Sequence, residues 1–187
     1  MNHLGTQQLE TDRLILRRFS LADADAMFRN WANDPCVTKY LTWKPHGDIS
    51  VSKAILAEWV ESYEKPNTYL WAVVPKSIGE AIGGISVVHG RDETKMVHIG
   101  YCIGQTWWGR GYTSEAFAEI IRFFFEKVGV NRIESRHDPN NPKSGKVMIK
   151  CGLRCEGTLR QSDVNNQGLC DAAHYAILAD DWLKMFS

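Results

Sequence analysis

Apolar and polar positions along the chain recur with two different periods, and the switches between them mark out the elements. Leu14, Ile15 and Leu16 lie between arginines in residues 13–19, which reads as a first strand. Ser20 and Asp23 have capping-box spacing and open a helix over residues 21–30. Asp34-Pro35 breaks that helix and starts a short helical turn through Tyr40. Residues 50–64 place apolar side chains three or four apart, so a second helix is expected there, stopped by Pro66. Residues 69–74, 81–88 and 96–103 are β-branched and aromatic runs separated by turn-rich stretches, the pattern of a three-stranded antiparallel meander. Gly83-Gly84 within the second run marks a bulge or a close backbone approach. Phe117, Ile120, Ile121, Phe124 and Val128 then form one face of a long helix, which returns the chain to a strand at 132–137, parallel to 96–103 by a crossover. Asn141-Pro142 starts a further helix that Gly152 ends. Residues 155–161 and 169–178 read as a closing hairpin, with a short helical turn over 180–185. Residues 1–10 are polar and unpatterned, so a loose tail is expected before one domain over 11–187. The elements add up to an α+β fold, a mixed sheet with helices on its faces.

The stretch from Val97 to Val128 concentrates the candidate chemistry. A strand passes through a short glycine-punctuated loop straight into an amphipathic helix. Gly109 and Gly111 leave room for successive backbone N–H groups to point one way, and the positive end of the helix adds to them. Such a loop cradles phosphates. It is not the dinucleotide fingerprint, which needs a third glycine and an opening βαβ unit, nor a P-loop, which needs Gly-Lys-Ser/Thr.

Three ordered blocks carry a resemblance: T-D-R-L-I-L-R-R-F at 11–19, I-G-Y and W-W-G-R-G-Y-T-S-E-A-F at 99–101 and 107–117, and N-P-K-S-G-K-V-M-I-K-C-G-L at 141–153. Together they resemble the GCN5-related N-acetyltransferases (GNAT), in particular the ribosomal-protein N-terminal acetyltransferases of the RimJ/RimL type. Thr106 stands where the family usually has Gln or Arg; backbone amides do most of the loop's work and survive that change. The resemblance implies a mostly antiparallel central sheet in which one parallel strand pair splays apart. It also implies acetyl-CoA as cofactor and an amine as acceptor, possibly the N-terminus of a ribosomal or other protein. Trp108, Gly109, Arg110, Gly111, Tyr112 and Thr113 would hold the pyrophosphate, and a backbone amide within Tyr101, Cys102 and Ile103 would polarise the thioester carbonyl. Cys102 itself reads as a packed thiol, since direct transfer needs no covalent enzyme intermediate.

Asn141 and Ser144 match the family's contacts near the pantetheine arm and sulfur, so Ser144 could protonate the leaving thiolate; their other roles are helix capping and a first-turn hydroxyl. Lys143, Lys146 and Lys150 form a basic stripe, from which Lys146 is the expected contact to the adenosine 3′-phosphate. His98, on the central strand before I-G-Y, is the first candidate for general base, with His137 in reserve. Tyr40, Trp43, His46 and Trp59 could line an acceptor pocket or simply pack.

Composition narrows the partners. Of 187 residues 44% are hydrophobic, enough for one substantial core, and the 22 basic and 22 acidic residues leave no global excess that would recruit nucleic acid or an anionic membrane. Five cysteines without a paired framework, and an N-terminus unlike a signal sequence, point to a reduced, cytoplasmic setting. No metal is expected at the site, because amides and a helix end hold the phosphates. A monomer or homodimer fits equally, and a polyamine, amino-acid or antibiotic amine acceptor, or a non-catalytic acyl-CoA-binding module, are the competing readings.

Overall fold

A computed structural model describes residues 1–185. Its backbone is one eight-stranded sheet, ordered β1-β2-β3-β4-β5-β6-β8-β7. The strands are β1 (Leu9–Glu10), β2 (Leu14–Arg17), β3 (Leu70–Pro75), β4 (Gly83–Arg91), β5 (Met96–Ile103), β6 (Arg132–His137), β7 (Arg154–Asn165) and β8 (Gly168–Leu178). All neighbours run antiparallel except β5 and β6, which the crossover makes parallel. The mixed, mostly antiparallel sheet expected from the sequence is therefore present.

Alternation along the strands sends side chains to two cores. Leu14, Leu16, Trp71, Ile85, Val97 and Ile99 meet Phe117, Ile120 and Phe124 of helix α4 (Tyr112–Phe123) and its terminal π turn (Phe124–Val128). On the opposite face, Ala72 and Val74 meet Met27 of α1 (Ala24–Met27), Trp31 of the π turn after it, and Leu56 of α3 (Ile49–Ser62). Between α1 and α3 stands α2 (Pro35–Thr38), whose N-cap Asp34 accepts the Cys36 amide, as Asp-Pro predicts. Helix α3 begins one residue before Ser50: Asp48 is the cap, accepting the Ser50 amide at 2.8 Å. Helices α5 (Pro142–Lys150) and α6 (Ala179–Lys184) complete the set.

Two expectations need correction. Residues 1–10 are not a loose tail: β1 pairs with β2, the Asn2 amide donates to Val128, and buried Thr6 donates to the Thr68 carbonyl. Polarity misled here because the segment is held by hydrogen bonds together with the scattered apolar residues Met1, Leu4 and Leu9, which pack on the first core without a periodic pattern. The closing hairpin is also longer than its apolar runs, with β7 and β8 paired down to Asn165↔Gly168 around a two-residue turn. Most of β7 is an exposed edge strand, so its residues carry no burial pattern to read.

Candidate active site

The site is made where the parallel pair stops pairing. β5 and β6 match Met96↔Arg132, Val97↔Ile133 and His98↔Glu134, and no pairing follows. Ser135, 2% exposed, donates its hydroxyl to the Ile99 carbonyl at 2.8 Å, so a side chain replaces the next ladder bond. Beyond it the strands part over a cavity of about 140 Å³. Gly100 and Tyr101 line it from β5, His137 and Asp138 from the end of β6, Asn141 and Ser144 from the start of α5.

Backbone alternation aims amides into that opening. The Gly104 amide donates to Ile82 across the antiparallel β4–β5 ladder, where Ile103 stands opposite Gly83 and Cys102 opposite Gly84. Every second residue therefore faces β4, and Tyr101 and Ile103 turn their peptide groups the other way, toward the splay. The carbonyls on that side confirm the direction: Ile99 accepts from Ser135, and Ile103 accepts the Trp108 indole at 2.8 Å. Cys102 is packed into the second core and burial pushes its thiol up to about 11, which suits a packed side chain and not a nucleophile.

The glycine loop lies next along the chain. Gly109 and Gly111 both have left-handed backbones, φ 74° and 81°, and Gly111 is the N-cap of α4. A side chain at Gly109 would meet open space, as a cradle for a ligand requires. One at Gly111 would stand 3.4 Å from the Arg13 guanidinium and 3.9 Å from the Lys150 ammonium. Arg13 is itself set by Glu115, the Arg110 carbonyl and the Tyr112 ring. Lys143 lies 5.0 Å over the Trp108 ring. The stripe on α5 thus reaches the loop through Lys150 and Lys143, while Lys146 stands exposed with neither contact. Lys146, the expected contact to the adenosine 3′-phosphate, is thus not among the residues beside the loop, which lies near the far end of α5, at Lys150. Arg13 flanks a strand pattern, and nothing in its spacing marks it as a loop contact.

Asn141 occupies the N-cap of α5 without capping: its amide donates to Ser144 Oγ at 3.0 Å. The Tyr101 phenol donates to the Ser144 carbonyl at 2.8 Å, and burial raises its pKa. Tyr101, Asn141 and Ser144 are thereby one connected group at the cavity wall.

His98 requires a correction. It shares a face with Gly100 and Cys102, as alternation predicts, but it stands at the last paired rung and does not line the cavity. It is 5% exposed, stacks on His89 at 4.6 Å, and burial, helped by Arg136 and His89, takes its pKa down to about 4. A base that weak leaves an ammonium protonated. His137 is in the cavity wall: its Nδ1 donates to the Asp138 carbonyl at 2.8 Å, which fixes Nε2 as the nitrogen with the lone pair, buried and without a partner. Of the four aromatic acceptor candidates, Tyr40 lines the cavity. Trp43 packs on His46, whose Nδ1 is bonded to Ser52, and Trp59 packs on Phe19.

A splayed parallel pair beside a glycine cradle at a helix start is the donor site the sequence resemblance implied, and residues 13–154 match the acetyltransferase (GNAT) domain family. The chain belongs to that family. It is 30% identical to the uncharacterized N-acetyltransferase p20 of Bacillus licheniformis over 94% of this chain and 98% of that one. It is 26% identical to the [ribosomal protein uS5]-alanine N-acetyltransferase of Escherichia coli, over 94% and 92% of the two chains. Among solved structures, a RimL ribosomal L7/L12 α-N-protein acetyltransferase in complex with coenzyme A superposes with a TM-score of 0.82 at 16% identity, over 94% and 99% of the chains, and shares the fold. The acetyltransferase is thus an N-acetyltransferase of a family that uses acetyl-CoA. Among its described residues no helix is long and apolar enough to cross a membrane.

Proposed function

We propose that this acetyltransferase moves the acetyl group of acetyl-CoA directly to a protein N-terminal amine. The observation that carries the reading is the succession of three features along β5 and the segment after it: a small cavity at the splay, peptide groups freed there, and a left-handed glycine cradle at the start of α4. Acetyl-CoA supplies an activated acyl carbon and a thiolate leaving group. The amides of residues 109–113 and the start of α4 suit its pyrophosphate, with Arg13 and Lys150 adding charge at Gly111. The Tyr101 amide, directed into the splay, suits the carbonyl oxygen as negative charge grows on it. His137 is the imidazole in the cavity wall; with its Nε2 buried against Gly145 it takes the proton of the incoming ammonium through water, so that the amine lone pair forms the C–N bond as C–S breaks. Ser144 Oγ accepts from Asn141, which leaves its own proton free for the departing sulfur. No carboxylate cluster is needed for the phosphates, so a chelator should leave CoA affinity unchanged.

A cavity of about 140 Å³ admits a small terminal side chain and little more. Tyr40 and Leu41 line it, and their loop is fastened to the tip of the β7–β8 hairpin, where the Asn166 side chain donates to the Thr38 and Trp43 carbonyls. The E. coli relative's action on a ribosomal protein supports the same acceptor class, and five unpaired cysteines fit a reduced cytoplasm. The test is free-thiol release from acetyl-CoA with pooled N-terminal peptides and, separately, with polyamines, amino acids and aminoglycosides. Release with peptides supports the proposal, and release with small amines alone would replace the acceptor.

A further inference from the structure

On the face of the sheet opposite α4, just below the splay, three side chains from adjacent strands converge: His89 of β4, His98 of β5 and Glu134 of β6. Their convergence has a specific cause. The β4–β5 register slips between Val87↔Ile99 and His89↔His98, and this bulge puts His89, in place of Val88, opposite His98. A bulge re-aims a side chain, and here it brings a second imidazole onto the face that already holds the first.

From this arrangement we infer that the protein binds one zinc-type divalent transition-metal ion through His89, His98 and Glu134. Glu134 Oε1 lies 3.5 Å from His98 Nδ1 and 3.7 Å from His89 Nε2, and all three ligand atoms fall within 4.8 Å of one another. Metal–ligand bonds of about 2.0–2.1 Å in a tetrahedron put ligand atoms roughly 3.3 Å apart. The two measured separations need little change. The remaining closure falls to His89, whose side chain is 44% exposed and free to turn out of its stack.

Three further observations fit a cation. His98 is 5% exposed and its Nδ1 has no hydrogen-bond partner, a cost that a metal bond would remove. Arg132 holds the other oxygen of Glu134 at 3.2 Å, so the carboxylate is oriented from behind as a metal's outer partners do. Charge also allows it: around the cluster Glu134, Glu156 and Asp163 outnumber Arg132 and Arg136, with which they pair. Two imidazoles and one carboxylate select zinc, cobalt or nickel over magnesium or calcium. The ion would join β4, β5 and β6 at the last rung before the strands part, apart from the cofactor cradle.

Cobalt(II) titration of the full chain tests this, because its visible bands report ligand type and geometry. One cobalt per chain is expected, with ligand-field bands of a tetrahedral or five-coordinate nitrogen/oxygen site, no sulfur-to-metal charge transfer from the five cysteines, and displacement by zinc. His89→Gln, an exposed change that spares the cores, should weaken binding about tenfold or more, and zinc should raise the thermal midpoint of the parent but not of the variant. A thiolate spectrum, an unchanged affinity in His89→Gln, or no binding at millimolar cobalt would each overturn the assignment.

Discussion

The β5–β6 pair is built in opposite ways at its two ends. At the root, three rungs are laddered, and the face opposite α4 is filled by a histidine stack and by Arg–acid pairs. At the mouth the ladder is broken by the Ser135 hydroxyl and peptide groups face an opening, while a buried ring nitrogen without a partner is found at both ends, on His98 and on His137. Both ends carry a histidine on a strand, and composition cannot distinguish them. Their difference is whether the backbone around each is already spent on hydrogen bonds. Groups that can act on a substrate are found where pairing has been withheld.

The sharpest way to break this comparison is at the cradle next to the mouth. Gly111→Asp sets an L side chain at φ 81° and a negative charge where the pyrophosphate approaches. Calorimetric titration with CoA should show loss of binding in a folded protein, and parent-like affinity would mean that the cradle has been misplaced. Next in size, His137→Gln should lower kcat about a hundredfold or more while CoA affinity stays near the parent's. The deficit should shrink as pH rises and the amine arrives neutral. An undiminished rate would move the base to water.

The root should respond to acid and not to chemistry. His98 is held neutral with a pKa near 4, against about 6.5 in an unfolded chain. Its effect is absent above pH 6.5; below that the unfolded state takes up the proton first, so stability falls progressively down to pH 4, by about 3 kcal/mol in all. Denaturant midpoints measured with chelator present across this range should show the loss, and His98→Phe should flatten it while leaving acetyl transfer intact. A slow His98→Phe enzyme would return the base to the root. Smallest is Ser135→Ala, which leaves the buried Ile99 carbonyl without its donor and should cost about 1–3 kcal/mol.

The sequence made the root-to-mouth distinction only partly legible. Strand 132–137 and its parallel pairing could be read because a long amphipathic helix enforces a crossover, and the loop could be read because Gly-x-Gly before a helix has few uses. Which histidine faces the opening could not. His98 and His137 both sit at alternating strand positions near candidate motifs, and only the rung at which pairing stops separates them. The same holds for the basic residues: Lys146 and Lys150 share one stripe, and helix spacing alone does not say which end meets Gly111. The bulge that turns His89 inward left no glycine or proline at Val87 to Val88 to announce it.

The clasp between the β7–β8 hairpin and the loop after α2 has an evolutionary consequence. Asn166 gives its amide and its backbone N–H to the carbonyls of Thr38, Trp43 and Leu41, which every amino acid possesses. Substitutions at these loop positions can therefore drift without loosening the closure, while the half of the protein that grips the donor stays fixed. A lineage could trade one acceptor for another by small mutational steps, each passing through a folded, donor-competent ancestor.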